Sequence, residues 1–314
     1  MSYVTFRASL TLHTAFGTPL SGDTLFGQLC WTAREYLGEA GLEALLEGYT
    51  TDRPWLVVSD GFPSGYLPKP AIPQFLFAKV AVDQRKAEKA KKWLPCNEIG
   101  KPLQDMQIVD DKTAFGEYGK PVEATQFHNT LNRLTGSTGT GEFAPYTQAQ
   151  LFFAQGQCME LYLVLDESRM ALGKLKTLLQ TIGSCGFGRD ASIGLGKFTV
   201  DALSAISFAQ HPQANAYLTL APSVPQGQNF NPDKSYWRVL TRFGRHGNLH
   251  GISSQPFKNP LLLASTAAVF VPQGIYMARQ FIGQGVGGNG QLSKVEPGTV
   301  HQGYAPVVGI RMEE

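Results

Sequence analysis

From Val4 to Leu12 the chain alternates, with Val4, Phe6, Ala8, Leu10 and Leu12 set between Tyr3, Thr5, Arg7, Ser9, Thr11 and His13. That two-residue period predicts a half-buried strand with one apolar and one polar face. After the turn Gly17-Thr18-Pro19 the period lengthens. Leu25, Phe26, Leu29, Cys30, Ala33, Tyr36 and Leu37 share one side of a helix, with Asp23 placed to cap its start and Gly38 to stop it. Trp55 to Ser59 and Met159 to Leu165 predict two further strands, the second with Met159, Leu161, Leu163 and Leu165 facing away from Glu160, Tyr162 and Val164. A second helix repeats Met170, Leu175, Leu178, Leu179 and Ile182 up to Gly183, and a strand from Lys197 to Val200 follows. The order β-α-β-β-α-β is that of an α+β, ferredoxin-like unit, whose two helices cover one face of an antiparallel sheet and leave the other open to a ligand such as RNA.

Between the second and third strands lie about ninety residues, roughly 60–150, far more than an ordinary connection needs and therefore expected to be functional or disordered. This insertion carries much of the basic charge. Beyond residue 205 the strands Tyr236–Phe243, Leu261–Val271, Ile275–Phe281 and Val307–Met312 are expected, forming a second, degenerate α+β domain over 206–314 beside a first domain over 1–205. The glycine-rich run Gly283 to Gly290 reads as a mobile loop.

Composition narrows the function classes. A length of 314 residues allows two compact units, and 43% hydrophobic with 17% charged residues is a globular balance. A formal charge of +2 gives no strong overall field, so any nucleic-acid site must be a local concentration of Lys and Arg. Cys30, Cys96, Cys158 and Cys185 form no CxxC pair, which argues against a zinc ribbon or a disulfide framework and for a reducing cytoplasm. The opening Tyr3-Val4-Thr5-Phe6-Arg7 lacks the apolar block of a signal peptide. Leu261 to Val271, between Pro260 and Pro272, falls short of the roughly 20 residues of a membrane span. A soluble, cytoplasmic protein with no membrane partner is expected.

The sharpest local feature is Gly186-Phe187-Gly188-Arg189-Asp190-Ala191-Ser192-Ile193-Gly194-Leu195-Gly196-Lys197-Phe198, between a helix and a strand. Alone, such a turn more often satisfies only its own dihedrals. Its glycines would also let the backbone approach a sugar-phosphate chain, with Arg189, Ser192 and Lys197 adding charge and donors. Nucleotide-binding glycine loops follow a strand and open a helix, the reverse of this order, so ATP and NAD are disfavoured. Lys79, Arg85, Lys86, Lys89, Lys91 and Lys92 form a basic run that is more often a solvated face than an RNA contact.

Three segments together resemble one family: Ser21-Gly22-Asp23-Thr24-Leu25-Phe26-Gly27, the loop Gly186 to Phe198, and the ending His301-Gln302-Gly303-Tyr304-Ala305-Pro306. It is the family of the fourth subunit of Csm complexes, the type III-A CRISPR effectors, within the RAMP superfamily of CRISPR RNA-binding proteins. The similarity runs in order from the first strand to the C-terminus and is least in the insertion. The resemblance implies tandem ferredoxin-like (RRM-like) domains and a non-catalytic scaffold in antiviral defence. Such a scaffold grips the 5′ handle of the CRISPR RNA and bridges the large polymerase-bearing Csm subunit to the backbone filament Csm subunit, with no cofactor. It also implies that part of the insertion is a thumb-like β-hairpin pressed against RNA where the handle meets the guide.

RNA contacts are implied at Gly186, Phe187, Gly188, Arg189, Ser192, Gly194, Gly196 and Lys197, with Arg189 foremost and Asp190 a turn acceptor. Ile193 stands where the family has a small hydroxyl residue and Leu195 where a basic one is frequent, which removes side-chain contacts there and leaves backbone contacts. The stretch Phe127 to Gly139 resembles the family segment before the third core strand, and in it His128, Asn129, Arg133, Thr135 and Ser137 suit recognition of a single strand. Ser21, Lys69, His301, Gln302 and Tyr304 complete the set.

Other RAMP proteins cut RNA, so a RAMP endoribonuclease processing the CRISPR transcript, with His128 or His301 as base, is the alternative, and a purely structural filament cap is a third. Neither histidine has an evident nucleophile nearby in sequence. His246 and His250 have ligand spacing, but Gly244, Gly247 and Gly251 would break a helix and no Glu lies between them, so a loop is expected. Asp110-Asp111 is a solvated pair rather than a two-metal site.

Overall fold

The structure, a computed structural model, describes residues 3–77, 81–208, 210–247 and 256–312. Strand β1 (Tyr3–Leu12) buries Phe6, Ala8, Leu10 and Leu12 and exposes Arg7, the alternation seen in the sequence. Helix α1 (Gly22–Leu46) sets Leu25, Phe26, Leu29 and Ala33 against it. Its N-cap is Ser21, in extended conformation, and Asp23 lies in the first turn instead of at the cap. At Gly38, φ 77° and ψ 177° interrupt the helix, so the expected stop is a kink after which a second helical run continues to Leu46.

Strand β2 (Leu56–Val58) leads into the insertion, which holds β3 (Phe62–Pro63), β4 (Tyr66–Pro68), the short helix α2 (Arg85–Ala90), β5 (Trp93–Pro95), helix α3 (Asp111–Phe115) and a hairpin of β6 (Val122–His128) and β7 (Tyr146–Phe152). Then come β8 (Cys158–Asp166), helix α4 (Leu172–Cys185) and β9 (Phe198–Ala205). The first sheet runs β2-β8-β1-β9 with every neighbour antiparallel. Leu175, Leu178, Leu179 and Ile182 bring α4 beside α1 over the same core. Element order and sheet order together make this unit ferredoxin-like.

The polar face of this sheet is not left open throughout. Strand β8 is buried from Met159 to Asp166 on both sides, and Tyr162 belongs to a second core with Phe62, Leu67 and Leu94 of the insertion and Leu218, Val269 and Val308 of the later chain. Alternation assigns side chains to faces; it does not say which distant segment will cover a face. Towards β9, Arg7, Thr199 and Asp201 remain exposed.

The second unit contains β10 (Ala216–Thr219), β11 (Val239–Arg242), β12 (Leu261–Ala264), β13 (Val269–Phe270), β14 (Phe281–Gly283), β15 (Val286–Gly287), β16 (Val300–His301) and β17 (Tyr304–Ile310). Its sheet runs β13-β10-β17-β14, beside the ribbons β11-β12 and β15-β16. Among the described residues after 205 no helix occurs, so the helices of a second ferredoxin-like domain are missing there. The apolar run Leu261–Val271 splits at a turn in which Ala267 has φ 72°. Of the expected strand Ile275–Phe281 only Phe281 falls within a strand, and Ile275 is exposed. The Gly283–Gly290 run is a packed element, not a mobile loop: it supplies β15, and a Cβ on Gly285 would lie 2.4 Å from the Tyr49 carbonyl oxygen. Among the described residues no helix is long and apolar enough to cross a membrane.

Candidate nucleic-acid interface

Residues 13–18, just beyond β1, lie between the glycine-rich loop and the hairpin. On one side Phe16 and Leu151 of β7 exchange backbone hydrogen bonds, each 2.9 Å. On the other, the His13 amide donates to the Lys197 carbonyl (2.9 Å), Gly196 N–H to the Ala15 carbonyl (2.8 Å), and the Lys197 and Arg189 amides to the hydroxyls of Thr14 (2.9 Å) and Thr18 (3.0 Å). The Arg189 guanidinium reaches across to donate to the Ala149 carbonyl of β7 and lies 3.2 Å from the Asp190 carboxylate.

The hairpin pairs from Val122↔Phe152 to His128↔Tyr146. β6 is solvent-exposed from Val122 to Phe127, and Phe127 and Leu134 are 79% and 96% exposed. A two-stranded ribbon is marginal alone, and apolar side chains held out on one suit a surface that meets a partner. His128 stacks on Tyr146 with ring centroids 5.3 Å apart. Asn129, Arg133, Thr135 and Ser137 are all exposed at the tip, which is closed by the Asn132 N–H donating to the Ser137 carbonyl (3.0 Å).

The loop divides the residues expected to touch RNA. Arg189, Ser192 and Lys197 are exposed, and Gly194 (φ 101°) has open space around it. Gly186, Gly188 and Gly196 are required by packing: a Cβ there would lie 2.4 Å from the Leu195 oxygen, 2.8 Å from Thr18 Cβ and 2.2 Å from the Phe187 oxygen. The Phe187 side chain is wholly buried, 6.4 Å from the Phe16 ring, so it serves the core and not a ligand. Glycine and aromatic positions in a loop mark close packing as readily as ligand approach, and sequence does not separate the two.

The C-terminal motif is likewise interior. The Gln302 amide, fully buried, accepts from Val58 N–H and donates to the Val58 carbonyl, both at 2.8 Å, and the buried Tyr304 hydroxyl donates to the Tyr49 carbonyl at 2.8 Å. These contacts tie the second unit to β2 and to the segment after α1. Lys69 lies in the insertion, donating to Gln74 Oε1 (3.2 Å) beneath the Phe77 ring. On α2, Arg85, Lys86 and Lys89 are exposed, whereas Lys91 is paired with Glu88 and Lys92 with Asp111; Lys79 lies outside the described residues.

Ser21 and His301 meet in a polar cluster that the sequence did not reveal. The Asp23 side chain is completely buried and accepts from Arg242 of β11 at 2.6 and 2.9 Å and from the Ser21 hydroxyl at 2.7 Å, with His301 Nε2 3.3 Å away. Burial alone would raise its pKa; His301, Arg242 and Ser21 outweigh that and hold the carboxyl well below the usual carboxylate range. Nearby, burial pushes the Asp60 carboxyl up to about 6, against hydrogen bonds from Thr266 and the Gly22 amide. Both carboxyls join the first unit to the second.

The other candidates for chemistry are structural. Asp110 caps α3 by accepting from Thr113 N–H (2.9 Å), and Asp111 accepts from Lys92 (2.7 Å) and Trp93 Nε1 (2.8 Å). His246 sits in a loop, 2.9 Å from the Ser293 hydroxyl, and His250 lies outside the described residues. Among the described residues no group of His, Cys, Asp and Glu is arranged to hold a metal ion.

No protein-family profile and no curated protein matches the sequence. Solved structures do match in fold. A chain of a Csm1-Csm4 cassette in complex with cA4 has a TM-score of 0.63 at 15% identity, and a chain of the cassette with AMPPNP 0.59 at 16%, each match covering 99% of both chains. A chain of a Csm3-Csm4 subcomplex of the type III-A CRISPR-Cas interference complex gives 0.58 at 11%, covering 97% of this chain and 99% of that one. This protein therefore has, over nearly its whole length, the fold of chains that build CRISPR effector assemblies.

Proposed function

We propose that the protein is the Csm4-type, non-catalytic RNA-binding subunit of a type III-A CRISPR effector complex. It works in the cytoplasm, gripping the 5′ handle of the CRISPR RNA and joining the large polymerase-bearing subunit to the backbone filament. The observation that carries this reading is the exposed hairpin rooted beside the glycine-rich loop, on a chain whose fold recurs end to end in Csm1-Csm4 and Csm3-Csm4 assemblies. Csm4 is the component common to both.

RNA contacts are assigned to what the surface offers: Ser192 and Lys197 with the Gly194 backbone on the loop, and His128, Asn129, Arg133, Thr135 and Ser137 along the hairpin and its tip. On this reading the second sheet descends from a second ferredoxin-like domain. Its first and last strands, β10 and β17, still lie side by side, as β1 and β9 do.

The test is binding of the purified chain to a labelled guide RNA with and without its 5′ handle, over a salt series, with the RNA examined for cleavage. Handle-dependent binding of uncut RNA is expected, with log affinity falling against log salt at about 0.7 per phosphate contacted. Cleavage would favour the endoribonuclease with His128 or His301 as base, and absent, salt-independent binding a purely structural cap.

A further inference from the structure

We infer that Arg189 is a positioning residue that locks the hairpin to the glycine-rich loop, so that an RNA strand lying across both meets one rigid surface. The inference rests on the RNA-binding reading for its purpose; the geometry stands without it.

Along β7 the backbone groups of alternate residues point to the same edge. Those of Leu151 pair with Phe16, outside the hairpin. The carbonyl of Ala149, two residues earlier, therefore faces the same edge, where no further strand residue follows. The Arg189 guanidinium takes that carbonyl instead and so extends the Phe16–Leu151 ladder by one rung.

The arginine is itself held on three sides. Its amide donates to the Thr18 hydroxyl (3.0 Å), its Nε lies 3.2 Å from the Asp190 carboxylate, and its backbone is packed so closely on Gly17 that a Cβ there would be 2.6 Å from the Arg189 oxygen. Asp190, at φ 64°, aims its carboxylate back at the guanidinium. With its charge matched by Asp190 and a donor committed to Ala149, Arg189 is built to hold protein to protein. Among the described residues, Ser192 and Lys197 on one element and Arg133 and Thr135 on the other show no comparable tie between the two. A planar fork that donates to a carbonyl while its charge stays beside a carboxylate is an arginine property that a lysine does not reproduce.

The test compares wild type, Arg189→Ala and Arg189→Lys. In the free chain, amide hydrogen exchange over 13–18 and 146–152 should quicken by about tenfold in both variants, the scale of one lost hydrogen bond to a charged group, with the global urea midpoint unmoved. On guide RNA, both variants should bind about tenfold more weakly with the salt slope of wild type retained, because no phosphate contact is lost. Unchanged exchange, with a slope reduced by about 0.7 in the alanine variant and restored by lysine, would overturn the inference and make Arg189 a direct phosphate contact. Should wild type bind no RNA, the functional reading fails while the exchange measurement still decides whether Arg189 holds the hairpin.

Discussion

Arg242→Met is the most informative perturbation of the junction between the two units. Arg242, a quarter exposed, is bound at 2.6 and 2.9 Å to Asp23, whose side chain has no exposure at all. Removing the guanidinium leaves that carboxylate with Ser21, the Thr24 N–H at 2.8 Å and His301. Breaking a buried ion pair from one side costs roughly 3–5 kcal/mol, and because Arg242 keeps some solvent and His301 remains, about 3 kcal/mol is expected. The double variant Asp23→Asn/Arg242→Met removes the stranded charge and should recover at least half of the loss. Urea denaturation followed by tryptophan fluorescence measures both. A loss below about 1 kcal/mol for Arg242→Met, or a double variant no more stable than the single, would refute the claim that this pair holds the units together. The linkage has a definite sign: the folded pKa of Asp23 is depressed, so its contribution is complete above the usual carboxylate pKa and is lost as the pH falls through the folded one.

Asp60 runs the other way. Its folded pKa of about 6 lies above the unfolded one, so stability is fully present below about pH 4 and falls by up to about 3 kcal/mol as the pH rises past 6; Asp60→Asn should flatten that part of a urea-midpoint profile. Gly196→Ala should destabilise the chain by several kcal/mol, since its Cβ would meet the Phe187 backbone at 2.2 Å, whereas Gly194→Ala, in open space at φ 101°, should cost only about 1 kcal/mol of backbone strain; equal thermal shifts would contradict the packing role. Gln302→Leu strands the buried amide and carbonyl of Val58 and should lower stability by about 3 kcal/mol; a loss under 1 kcal/mol in denaturant would show that the clamp is dispensable.

Much of the first unit was legible because its signals are local. The alternation of Phe6, Ala8, Leu10 and Leu12, the helical spacing of Leu25, Phe26, Leu29 and Ala33, and the break at Gly38 are each written within a few residues, and they led to the observed element order. The length between β2 and β8 announced an insertion, and the structure places an exposed hairpin within it. The second unit was harder to read, because strands as short as Val269–Phe270 and Val286–Gly287 carry too few positions for a period.

What the sequence by itself determined is the ferredoxin-like unit, the place of its insertion, and the loop and segment from which a candidate RNA surface is drawn. Only the tertiary structure decided which of those residues reach that surface. Phe187, Gln302 and Tyr304 went inside, and Arg189 turned to a carbonyl 40 residues away. Asp23, which reads locally as a helix cap, found its counter-charge 219 residues along the chain. The physical reason is one of range: hydrophobic period and turn chemistry act over a few residues, whereas burial of a charge or a face is settled by whichever distant segment the completed fold brings against it.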